Sequence, residues 1–257
     1  MRFDYHTHST DSDGSFLWSM THAAEAAGFE GVGFADHCNV SPDPKQEDRK
    51  KAMGFNLDAT YELRREGIDL VRDRFDVRIF DAVEMDYEPD DETAIREFLD
   101  RAAFDYAIGS VHYLDGVNVH VQPYFEGKSE AERREMVDQY FDKLVALADS
   151  ELFDIAAHPD LFERTPALRG LATREQYERA AEAFADSRTV PEINAGRALR
   201  DYGEFHPTPT FLDVLAEYDV EVTAGTDSHD PDDVAPRKEA IEDVLAERGL
   251  EPVELDV

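Results

Sequence analysis

Short runs rich in β-branched and aromatic residues alternate along this chain with longer stretches whose apolar residues recur at helical spacing. The short runs predict strands over 2–6, 30–36, 77–84, 105–111, 153–157, 189–194 and 220–225. The longer stretches predict helices over 16–27, 56–74, 91–102, 129–149, 173–187, 208–217 and 236–247. Start and stop signals agree with this division. Ser129 with Glu132, and Thr173 with Gln176, have the spacing of capping boxes, in which each end of the pair satisfies a free helix N–H of the other. Pro209 suits a first helical turn, and Gly249 and Pro252 lie where the last helix should stop. Seven strand–helix units in strict alternation predict an α/β fold on a parallel sheet, one unit short of an eight-fold barrel. Three connections are too long for simple turns: 37–55, 112–128 and 158–172, and each begins with a histidine.

In a parallel barrel the C-terminal ends of the strands face one mouth, so what ends each strand matters. Here the ends carry His6-Thr7-His8, Asp36-His37, Glu84, His112, His158, Glu192 with Asn194, and Asp227-Ser228-His229. Six of the nine histidines fall in this one pattern. A single histidine at a strand end is more often a hydrogen-bonded loop residue than a ligand. Six at successive strand ends, with Glu84 and Asp227 among them, predict a metal centre. In His6-Thr7-His8 both rings share a strand face, so two nitrogens can meet one ion. Imidazole and carboxylate together suit Zn, Mn or Fe. His22, His120 and Cys38 are read as structural or surface residues.

Composition narrows the field. The 257 residues and 42% hydrophobic content allow a real core in one domain, 1–257. A single cysteine leaves no disulfide scaffold or Cys-rich zinc module. No apolar run approaches the roughly 20 residues that cross a membrane, and no leader pattern precedes the first strand, so a cytoplasmic protein without membrane partners is expected. With 59 acidic against 26 basic residues the net charge is −33. That charge repels polyphosphate backbones and argues against nucleic acid as a partner. It is spread along the whole chain, as expected of a surface adapted to molar salt, where the Debye length is about 3 Å.

The motif series resembles the PHP (polymerase and histidinol phosphatase) family. It consists of His6-Thr7-His8, Asp13-Gly14, Asp36-His37, Glu84, Gly109-Ser110-Val111-His112, His158-Pro159-Asp160 and Thr226-Asp227-Ser228-His229. The resemblance runs from residue 2 to about 230. Within the family it leans toward the monofunctional histidinol-phosphate phosphatases, through Tyr113-Leu114-Asp115-Gly116, the Leu161 that follows Asp160, and Glu192 to Gly196 ahead of Pro207-Thr208-Pro209. It implies a distorted (β/α)7 TIM-like barrel with the metal site at the strand C-termini. It also implies three divalent ions: one on His6, His8, Glu84 and Asp227, a second sharing Glu84 with His112 and His158, a third on Asp13, His37 and His229.

Such a centre hydrolyses a phosphate ester without a protein nucleophile. The ions, when bound, would acidify a water near neutral pH for attack on phosphorus and neutralise the phosphoryl oxygens. Arginine forks suit those oxygens, and Arg164, Arg197 and Arg200 are the candidates, with Arg164 and Arg197 preferred. Glu192, Asn194 and His206 are further candidates for substrate contact, and Glu192 has the alternative role of orienting a ligand histidine, as does Asp36. For a cationic imidazole-bearing substrate, Asp160, Tyr113 and Phe162 are added. The expected activity is hydrolysis of L-histidinol phosphate. The alternatives are another small phosphate ester, such as a nucleotide or nucleoside 3',5'-bisphosphate, or an amidohydrolase-type reaction. The last usually needs a lysine at the end of a middle strand, and lysines 45, 50, 51, 128, 143 and 238 end none.

Overall fold

The computed structural model describes residues 1–257. Seven parallel strands form the main sheet: β1 (Phe3–Thr7), β2 (Gly31–Cys38), β3 (Arg78–Asp86), β4 (Tyr106–Ser110), β7 (Ile155–Ala156), β8 (Val190–Asn194) and β9 (Thr223–Gly225). Between β4 and β7 a two-stranded hairpin, β5 (Tyr113–Leu114) and β6 (Val117–Asn118), stands apart from the barrel. The helices are α1 (Leu17–Ala26), α2 (Pro44–Met53), α3 (Tyr61–Arg72), α4 (Glu92–Ala102), α5 (Gln122–Glu126), α6 (Glu130–Asp149), α7 (Arg174–Ala185), α8 (Pro209–Glu217) and α9 (Pro231–Arg248). The strand order is sequential from β1 to β9. The ends are brought together by Asp227 N donating to His6 O (2.7 Å) and His8 N donating to Ser228 O (3.0 Å). The result is the expected α/β architecture, a nearly closed seven-stranded barrel.

Alternation along each strand fills the barrel in layers. Tyr5, Phe80, Tyr106, Ile108 and Ile155 form an apolar plug in its lower half. Two residues further along the same parity come Glu84 after Ala82 and Ser110 after Ile108, so the upper layer turns polar. On β1 the register with β2 slips by one residue between Asp4 and Thr7. Such a bulge re-aims side chains, and it lets Tyr5 pack in the plug while His6 and His8 serve the mouth. The larger apolar cluster lies outside the sheet, between the strands and α4, α6, α7 and α8.

Most boundaries fall within a few residues of the expected ones, with instructive exceptions. The expected loop 37–55 contains α2, capped by the Asp43 side chain accepting from Lys45 N. Its sequence PKQEDRKKAM has no apolar stripe, so periodicity could not reveal it. β3 runs two residues past Glu84, to Asp86. The last helix begins at Pro231 rather than 236, with Pro236 inside it. The segment after it is neither helix nor strand. Val253 N donates to Val222 O (2.9 Å), and Leu255 N to Tyr5 Oη (3.0 Å), so these residues close the lower end of the barrel.

Candidate metal centre

Glu84 stands at the middle of the mouth, 1% exposed, with five imidazoles around its carboxylate. The register of β2 on β3 sets His37 level with it. Oε2 lies 2.7 Å from His37 Nδ1, 3.4 Å from His6 Nε2 and 3.6 Å from His8 Nε2. Oε1 lies 3.0 Å from His158 Nε2 and 3.5 Å from His112 Nε2, and accepts from Ser110 Oγ at 2.5 Å. Asp227 Oδ1 adds a carboxylate 3.3 Å from His8 Nε2 and 3.6 Å from His229 Nδ1. Asp13 Oδ1 lies 3.1 Å from His229 Nε2 and 3.6 Å from His37 Nε2. The structure thus gathers all nine residues expected to ligate.

The unused atoms identify what this cluster suits. His6 Nε2, His8 Nε2, Glu84 Oε2 and His158 Nδ1 are buried without a hydrogen-bond partner. An unpaired buried polar atom costs about 1–3 kcal/mol, and here His6 Nε2 and His8 Nε2 converge on Glu84 Oε2, whose other near neighbour is His37 Nδ1. A divalent cation satisfies such converging donors of electron pairs. The groups close enough to share an ion are His8, Asp13, His37 and His229; His6, His8 and Asp227; and His37, Glu84 and His112. His8 and His37 each belong to two groups, so the division among ions is less sharp than the family pattern implies.

The opposite nitrogens are tied down. His6 Nδ1 lies 2.9 Å from Glu192 Oε1, and His112 Nδ1 2.6 Å from Asp86 Oδ1. His8 Nδ1 faces Ser12 Oγ at 3.3 Å and His229 Nδ1 the Asp227 carbonyl at 3.1 Å. Such contacts fix the tautomer and the ring angle of a ligand. Gly225 makes the first possible, since a Cβ there would occupy the space of Glu192 Oε1 and the His6 Cβ. Two of the candidate ligand positions carry backbone strain: φ is +30° at His158 and +50° at Asp227. Strain of this kind costs of order 1–3 kcal/mol per residue and gathers at functional sites.

Burial and neighbours set the charges. Burial raises Glu84, but the imidazolium forms of His37, His6 and His112 more than offset it and hold the carboxyl well below its usual range. Burial likewise lowers His37, yet the facing Glu84 raises it to about 10. His8 is pushed down to about 4 by burial, then by the charges of His229 and His37. At pH 7 the metal-free His37 therefore holds a proton that a ligand nitrogen cannot keep. Loading a divalent ion onto His37 at pH 7 is expected to release protons, and the apparent affinity to rise with pH toward about 10. Proton release during loading in weak buffer measures this; loading with none would contradict it.

A cavity of about 670 Å³ opens over the centre, walled by α2, the β5–β6 hairpin and the loops after β7, β8 and β9. Six cationic residues line it: Arg49, Lys50, Arg164, Arg197, Arg200 and Arg237. Lys50 pairs with Glu47 and Asp58 on the α2 side, Arg200 binds both oxygens of Asp233 at 2.8 Å, and Arg237 also holds Asp233 (2.7 Å). Arg49, Arg164 and Arg197 have no carboxylate partner, although acids outnumber bases 59 to 26 in this chain; Arg49 is held instead by Gln46, the Gly116 carbonyl and the Tyr113 ring, which leaves Arg164 and Arg197 free. Burial, together with neighbouring Arg197, lowers Arg164 to about 10 despite the nearby Asp227. An anion placed between the two would relieve their repulsion.

Several expected contacts lie elsewhere. Glu192, Asn194 and His206 are sealed beneath the cavity rather than in its wall. Glu192 is held by His6, by His158 N (3.3 Å) and by Asn194 Nδ2 (2.8 Å), while Asn194 Oδ1 accepts from Gly196 N (2.9 Å). His206 is 1% exposed, stacked under Tyr202 at 5.0 Å and tied through Nδ1 to Asp160 Oδ1 (2.5 Å). Asp160 also accepts from Thr208 N (2.6 Å), so it clamps two loops instead of reaching substrate. Phe162 packs in the core against Tyr140. Asp36 touches no imidazole directly; it holds the turn after β1, including the Ser12 hydroxyl that faces His8 Nδ1. Residues not anticipated in these roles include Asp86, Ser110, Arg49 and His120, of which Asp86, Arg49 and His120 line the cavity. The parity of β3 was the available signal for Asp86, two residues past Glu84.

Comparison with known proteins places these observations. The PHP domain family model matches residues 4–196. A protein of Deinococcus radiodurans named "probable histidinol-phosphatase" is 26% identical over 213 residues, 82% of this chain and 79% of that protein. The crystal structure of a histidinol phosphate phosphatase from Lactococcus lactis, complexed with Zn, L-histidinol and phosphate, superposes with a TM-score of 0.76 at 20% identity. That alignment covers 98% of this chain and 95% of the other.

Proposed function

The chain belongs to the PHP domain family, and from that premise we propose that it is a metal-dependent phosphomonoesterase that hydrolyses L-histidinol phosphate to L-histidinol and phosphate. In this reading it serves histidine biosynthesis in the cytoplasm, as one catalytic domain over 1–257, with a surface suited to high salt. No helix is long and apolar enough to cross a membrane. The observation that carries the proposal is the juxtaposition in one cavity of the His/carboxylate cluster on Glu84 with Arg164 and Arg197, two arginines lacking acidic partners. The Deinococcus and Lactococcus proteins support the choice of substrate.

His6, His8, Glu84, Asp227, His112, His158, Asp13, His37 and His229 would hold three divalent ions, Zn, Mn or Fe. When bound, such ions supply an acidified water and neutralise phosphoryl charge. The chain's own residues do the rest. Glu192 and Asp86 hold the rings of His6 and His112 at fixed angles. Arg164 and Arg197 receive the phosphate oxygens and set phosphorus over the centre, because a guanidinium fork matches their geometry. Ser110 fixes Glu84 Oε1 from below. Tyr113, half-buried beside Arg49, offers an aromatic face to the imidazole end of the substrate.

The test is a comparison of kcat/KM for L-histidinol phosphate, AMP, a nucleoside 3',5'-bisphosphate and p-nitrophenyl phosphate, in molar KCl with added Mn. A preference for L-histidinol phosphate of at least about 100-fold is expected, equivalent to roughly 2.7 kcal/mol. Faster turnover of a nucleotide would move the protein to the alternative substrate class.

A further inference from the structure

Of the nine ligand candidates, Asp13 alone is carried by a loop well beyond its strand end. It follows β1 by six residues, and its side chain is 48% exposed. Nothing in a strand register fixes it, so something else must. The turn Ser9–Gly14 closes on itself through Gly14 N to Ser9 O (2.9 Å) and Ser12 N to Ser9 O (3.2 Å). Gly14 packs so closely on His8 that its carbonyl group fills the space of a Cβ. Beneath the turn lies Asp36, which is fully buried. It accepts from Ser9 N, Ser9 Oγ and Ser12 Oγ, each at 2.6 Å. Its remaining partner is Arg64 Nη1 at 2.8 Å. Arg64 is 1% exposed, reaches in from α3, and is held on its other side by Asp81 (2.5 Å). A buried ion pair kept only for stability could be exchanged for apolar groups at little cost. Here three of the four contacts to Asp36 come from a single turn.

We propose that Asp36, anchored by the buried Arg64–Asp81 pair, is a positioning residue that fixes the Ser9–Gly14 turn and thereby sets Asp13 against His37 and His229. The inference rests on the reading that those three residues hold one ion. Its physical basis is that a carboxylate on a mobile turn loses conformational freedom when it ligates, whereas a turn already bonded to Asp36 has given that freedom up on folding.

The experiment is a Mn titration of the full-length metal-free protein against a competing chromophoric chelator, with metal content after dialysis and far-UV circular dichroism to verify folding. Wild type is compared with Asp13→Ala, Asp36→Asn and Ser9→Ala. Asp13→Ala and Asp36→Asn are expected to weaken the same one ion by roughly 10- to 100-fold and the others by much less, His8 being the one further ligand candidate that Asp36 reaches, through Ser12. Ser9→Ala should weaken that ion in the same direction by less. A merely structural role would lower the melting temperature without singling out one ion. A folded Asp36→Asn protein with wild-type affinities, beside a weakened Asp13→Ala, overturns the positioning role while leaving Asp13 a ligand. Should Asp36→Asn not fold, wild-type affinities in Ser9→Ala have the same meaning. Unchanged binding in Asp13→Ala removes Asp13 from the ligand set, and the proposal with it.

Discussion

Glu84→Gln is expected to lower phosphate release from L-histidinol phosphate by roughly 1,000-fold or more and to cost the protein bound metal. Five ring nitrogens lie within 3.6 Å of this carboxylate, and no other acid reaches all of them. The amide is nearly the same size, so packing survives. What is lost is the negative charge between the ligand groups, and with it several kcal/mol of transition-state stabilisation that the ions supply. Each 1.36 kcal/mol is tenfold in rate. Steady-state kinetics with metal analysis on the same preparation measures both effects. A Glu84→Gln enzyme with full metal content and undiminished turnover would contradict the role assigned to this residue.

The second large effect is expected at the arginines. Arg164→Ala and Arg197→Ala should each reduce kcat/KM by about 10- to 150-fold, the equivalent of one charge-assisted hydrogen bond of about 1.5–3 kcal/mol. Because both would hold one phosphoryl group, the double variant should lose less than the product of the single losses. Metal content should not change, since neither residue is a ligand candidate. Arg200→Ala serves as the contrast: its Nη2 is already bound to both oxygens of Asp233, and its removal should cost little. Unchanged kinetics in Arg164→Ala and Arg197→Ala, with a loss in Arg200→Ala, would reassign phosphate binding to Arg200.

The parts of this site that the sequence reveals are those governed by strand periodicity. His6, His37, Glu84, His112, His158 and Asp227 sit at or just beyond strand ends, and the parallel order of seven strands brings those ends to one mouth. Asp13 became a candidate only through the family resemblance, because its placement depends on a turn. What each buried carboxylate touches was not legible. Asp36 precedes a histidine in sequence, yet its partners are Ser9, Ser12 and Arg64, which lie 24 to 28 residues away along the chain. Glu192 looked equally suited to substrate or to a histidine; the inward face of β8 puts it on His6. Among the arginines the sequence favours Arg164 and Arg197, but the reason Arg200 is set apart, its bond to Asp233 33 residues away, is visible only in the fold. α2 was hidden because its residues are nearly all polar, so its helix left no apolar rhythm to detect.

Under the proposed function, turnover of L-histidinol phosphate depends on ions held by the cluster around Glu84. The direct measurement is phosphate release in molar KCl from protein stripped with a strong chelator and then reloaded stepwise with Mn, Zn or Fe(II). No turnover is expected after stripping, and recovery should follow bound metal. Turnover that persists in protein shown by elemental analysis to be metal-free would contradict that dependence.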